Sequence, residues 1–73
     1  MSFTHAHYAR AIRQTLRSTR RQLDYEVRTG QTHPLVARDC LAALEQCAEH
    51  HEAAARAQRR AEAHQEDVTH AQH

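Results

Sequence analysis

Cys47, His50 and His51 are the residues whose types and spacing come nearest to a reactive or metal-binding set. On a helix, Cys47 and His51 stand four apart and Cys47 and His50 three apart, spacings that bring two side chains to one face. Both pairs could seat two ligands on one metal ion. The chain carries eight histidines in 73 residues, and His5 or His7 could lie beside that segment if the ends of two helices meet. Structural zinc usually draws on complete C-x2-C or H-x3-H arms, and neither is present. Cys47, His50 and His51 therefore stand as weak metal candidates, with no cofactor expected. A thiol beside a histidine also suggests nucleophile and base. No third orienting group accompanies it, so the sequence points away from an enzyme.

A stronger pattern lies in residues 10–28. Arg10, Arg13, Arg17, Arg20, Arg21 and Arg28 form a ridge beside an apolar stripe of Ile12, Leu16, Thr19, Leu23 and Val27 at helical spacing. From His5 to Thr29, six arginines face only Asp24 and Glu26. From Pro34 to Glu66, six carboxylates outnumber four arginines. A basic helix followed by an acidic one can pair internally, or it can show its basic face to a partner. There is no lysine. Arginine's planar fork suits carboxylate and phosphate, although a GC-rich genome gives the same bias. The six arginines are the candidate partner-binding residues, for an acidic protein surface or for nucleic acid. No aromatic residues interleave with them for base stacking, and no helix-turn-helix or zinc-finger pattern appears.

The elements that must carry these residues are helices. One glycine, one proline and abundant alanine argue for an all-α chain. Ser2 or Thr4 can cap a first helix over about 5–29, with Phe3 folded back on its first turn. Gly30 suits a left-handed helix end, Thr32 or His33 an N-cap, and Pro34 the first turn of a second helix. The expected fold is an antiparallel two-helix hairpin reversing at Gly30–His33, a small domain that leaves room for a homodimer or completion by a partner. Ala37, Cys40, Leu41, Leu44, Cys47, Ala48, His51, Ala54 and Ala55 form the apolar face of the second helix. Leu16, Leu23, Val36, Leu41 and Leu44 are expected to be the most buried residues. Leucine stops at Leu44 and the first helix can cover the second only to about residue 58, so a fraying helical extension is expected to about residue 62–66. The domain is therefore drawn at 1–64, followed by a frayed or flexible tail over 65–73. Cys40 and Cys47 are too far apart along a helix for a disulfide, so free thiols in a reducing bacterial cytoplasm are expected. No apolar run suggests a signal peptide or a membrane span.

In its length, its lysine-free arginine-rich composition and its basic ARAIRQTLRSTRR run, the chain resembles the small RNA-polymerase-binding antitermination and transcription-inhibitor proteins of Xanthomonas lytic phages. That resemblance implies a non-enzymatic regulator docking on host RNA polymerase near its RNA exit region, to inhibit initiation or suppress termination. It assigns no residue a role. The other function compatible with the residues is a dimeric helical-bundle protein that binds RNA or DNA through the arginine ridge.

Overall fold

The computed structural model describes residues 3–71, with side chains described through residue 65. It is the expected hairpin: α1 (His5–Arg28) and α2 (Pro34–Ala71) pack antiparallel, with no strand among the described residues. Thr4 caps α1 by accepting the His7 N–H at 3.2 Å; Ser2, the other candidate, lies outside the described residues. Phe3 folds back over the first turn, stacked on His7 and edge-on to Tyr8 with ring centroids 4.5 and 5.9 Å away. That is the staple its position before the cap allows.

The reversal is built from backbone geometry. Gly30 takes φ +77°, a conformation in which a Cβ is strained even where, as here, no atom lies within 4 Å of it. The N–H groups of Gly30 and Gln31 then donate to the carbonyls of Val27 and Glu26 at 3.2 and 2.7 Å, satisfying the end of α1. His33 opens α2: its Nδ1 accepts the Leu35 N–H at 3.1 Å and its carbonyl accepts the Ala37 N–H. Pro34 follows at the first helical position, where it has no N–H to satisfy.

The seam between the helices is narrow and rich in alanine. Ala9 and Leu16 of α1 and Ala37, Ala48 and Ala55 of α2 are buried, and Ala48 exposes no surface at all. Ile12, Thr19, Leu23 and Val27 flank the seam on α1, and Leu41, Leu44, His51 and Ala54 flank it on α2, all half-buried. Along α2 the central positions are spaced 4, 3, 4, 3 and 4 (Ala37, Leu41, Leu44, Ala48, His51, Ala55), as in a two-stranded coiled coil. Val36, expected in the core, is instead 54% exposed. It precedes Ala37 by one residue, and about 100° of helical rotation carries it off the seam. Cys40 and Cys47 are also exposed free thiols rather than seam residues, displaced in the same way from Leu41 and Ala48.

α2 is the longer helix, about 57 Å against about 36 Å for α1. Thr4 and Ala6, at the start of α1, line one shallow cleft with Ala55, Gln58, Arg59 and Glu62, so α1 covers α2 only to about that level. α2 nevertheless keeps helical geometry to Ala71, beyond the 62–66 range at which the helix is expected to fray out. Ala61, Glu62, Ala63, Gln65 and Glu66 are strong helix formers that need no partner to favour the helix locally. The side chains of the tail beyond Gln65 lie outside the described residues.

Two measurements test this packing. Leu16→Ala should lower the unfolding free energy by about 2–4 kcal/mol, whereas Val36→Ala should change it by less than about 0.5 kcal/mol, as at other surface positions; denaturant melts of the two variants decide. Truncation after Gln65 should leave the thermal midpoint nearly unchanged, and a large drop would mean that the removed segment docks on the hairpin.

Candidate functional site

The arginines of α1 do not act as one ridge once α2 is in place. Arg13 reaches across the seam. Its Nε donates to Glu52 Oε2 at 3.1 Å and one terminal nitrogen donates to Glu52 Oε1 at 2.7 Å. Its other terminal nitrogen lies 3.5 Å from Glu45. The side chains of Arg13 and Glu52 are about one-third exposed, at 32% and 34%. This two-pronged geometry is the strong form of an arginine–carboxylate pair. It pins the rotation of α1 against α2 and occupies Arg13 within the fold. Arg28 is tied, more loosely, to Asp24 four residues earlier at 3.3 Å.

Beside the Arg13–Glu52 bridge runs an open groove. Ala6, Ala9 and Ala55 form its floor, and Arg10, Arg17, Arg56 and Arg59 stand around it with Gln14. All four arginines are exposed, and among the described residues none makes an ion pair within 4.0 Å. Arg10 and Arg17 belong to the expected set. Arg56 and Arg59 were missed, because their part of α2 reads as a solvated helix until α1 is laid beside it. Their three-residue spacing on one face was the available signal. Arg20 lines a separate, more apolar groove near the turn with Leu23, Asp24, Val27, Arg38 and Leu41. Arg21 is exposed and lines neither groove. Of the six expected residues, the structure therefore groups Arg10 and Arg17 and sets Arg13 inside the scaffold. Arg20, Arg21 and Arg28 lie away from the cluster.

The expected histidine neighbourhood forms in part. His5 does meet α2: its Nδ1 lies 3.0 Å from Nδ1 of His51, a contact in which one ring must carry the proton and the other accept it. Tyr8 and His50 also pack near His51, with centroids at 5.3 and 5.2 Å. His7 stacks on Phe3 instead. Cys47, His50 and His51 are not brought together as ligands. Among the described residues no group of three or more His, Cys, Asp or Glu side chains is placed to hold a metal ion.

Hydrogen bonding to Arg13, helped by the charges of Arg13 and Arg56 and opposed by desolvation, holds the Glu52 carboxyl below the usual carboxylate range. Glu26 is lowered too, by its hydrogen bonds from Gln22 and Thr32. Groups lowered in the folded state stabilise it above their unfolded pKa, about 4.3 for glutamate, and lose that effect as the pH falls through the folded value. The thermal midpoint of the wild type should therefore exceed that of Glu52→Gln near neutrality. The gap should close as the pH is lowered below about 4.3; a gap that persists in acid would show that charge pairing is not its source.

No helix among the described residues is long and apolar enough to cross a membrane. No protein-family model, curated protein or solved structure matches the chain.

Proposed function

We propose that this hairpin is a non-enzymatic docking protein that binds an acidic protein surface through the arginine groove. The observation that carries this reading is the cluster of Arg10, Arg17, Arg56 and Arg59, drawn from both helices, exposed, and left without carboxylates at salt-bridge distance. Arg13, bridged to Glu52, acts as the strut that holds the two walls in register. Bacterial RNA polymerase is the proposed partner, by the likeness of the chain to the phage regulators that dock on it. The proposed outcome is inhibited initiation or suppressed termination in the bacterial cytoplasm. The groove offers permanent cations, alanine, Gln14 and a Glu52 already bound by Arg13, a lining suited to hold an anionic surface.

Binding to purified bacterial RNA polymerase tests the proposal directly. Arg10→Glu with Arg17→Glu should weaken the complex by about tenfold or more, since desolvated arginine anchors dominate such interfaces. The circular dichroism spectrum and melting curve should stay almost intact, because exposed charges contribute little to folding. Association should slow more at low salt than at high salt, the mark of a screened steering field. If the double variant binds the polymerase normally, the groove is not the docking surface. If the wild type binds double-stranded DNA or RNA instead, with a steep salt dependence, the cluster is a phosphate-binding surface.

A further inference from the structure

The arginines are not spread around the hairpin. At 3.6 residues per turn, all ten of them fall on the side of the seam marked by Arg13, Glu45 and Glu52. The opposite broad side is almost uncharged. On α1 it carries Tyr8, Ile12, Thr15, Thr19 and Gln22. On α2 it carries Val36, Cys40, Ala43, Leu44, Cys47, His51 and Ala54. The contact between Tyr8 and His51 places both helices' contributions on that same side. Up to Gln58 one carboxylate belongs to it, Glu26, which lies at the turn end accepting from Gln22 and Thr32 at 2.8 Å each. Ile12, Thr19 and Leu44 are only half-buried there, and Tyr8, Val36, Cys40 and Cys47 are exposed.

We infer that this uncharged side is the interface with a second copy of the chain, giving a two-fold symmetric four-helix bundle with both arginine grooves facing outward. Three features favour a second copy over an unrelated partner. A two-fold interface sets the same patch against itself, so a patch carrying mainly one sign of charge repels its copy; this side carries the single carboxylate of Glu26 at the turn end, while the other side holds every arginine. The lone hairpin buries one leucine and four alanines, a core too thin for a small domain without a staple or an oligomer. The size also fits. The paired part of the hairpin is about 35 Å long and about 20 Å wide, so two such faces bury about 1,400 Å² in all, within the range of stable specific interfaces. Half-buried Ile12 and Leu44 would complete their burial there, as facing helices do in a bundle.

The test uses the full chain. Sedimentation equilibrium should give a dimer, and the thermal midpoint should rise with protein concentration. Thr15→Glu with Cys47→Glu changes two exposed residues of the face and should raise the dimer dissociation constant by about a hundredfold, from like charges set against each other. A matched variant on the other side, Arg17→Glu with Glu49→Arg, should remain dimeric. If the first variant loses its fold along with its partner, Thr15→Arg with Cys47→Arg decides: the acidic and basic variants mixed should form a folded heterodimer that neither forms alone. A monomeric wild type with a concentration-independent midpoint would overturn the inference. So would an acidic variant that stays dimeric, or a mixture that fails to rescue. The polymerase-binding variants lie on the other side, so failure of that reading leaves this one standing.

Discussion

Two antiparallel helices can bury only one stripe each against the other, and that constraint organises the whole molecule. The stripe is filled mainly with alanine, so the helices meet along a thin seam in which, among the described residues, Leu16 is the one large buried side chain. Everything else must lie on one of two broad sides or on the outer edges. A short connection, residues 29–33, fixes which positions meet. Gly30 closes α1, His33 and Pro34 open α2, and few other conformations join helices over so short a span.

Given that register, charge is divided unequally. Arg13 meets Glu52 and Glu45, and the resulting bridge sits where the seam opens onto the basic side. The acidic character of α2 is thus used partly within the fold, and only partly shields the arginines of α1. Arg13 is paired across the two helices, whereas Arg10 and Arg17, about one turn away on either side, stand exposed. A surface ion pair of this kind contributes modestly to stability; its larger effect is to orient the groove walls.

The histidines show how spacing on one helix constrains chemistry without deciding it. Cys47, His50 and His51 share a turn, yet rotation about the α2 axis turns His51 toward His5 and Tyr8 and leaves Cys47 outside. The two imidazoles share a hydrogen bond between their Nδ1 atoms at the open end of the hairpin, where an aromatic cluster with Phe3 and His7 lies against the first turn of α1.

The sequence by itself determined the all-α class, both helix starts and the place of the reversal. Capping and turn chemistry are local: Thr4, Gly30, His33 and Pro34 act within four residues of themselves. It also determined that the arginines of α1 lie together on one side of its apolar stripe, since helical period alone ensures that. What it could not determine was anything requiring two helices at once. Val36 against Ala37 is a matter of one residue of rotation, which only the partner helix resolves. The pairing of Arg13 with Glu52, thirty-nine residues away, and the recruitment of Arg56 and Arg59 to the groove depend on the register between the helices. So does the separation of a charged side from an uncharged one. Each helix has its own period, but only their packing decides which flank of one lies beside which flank of the other.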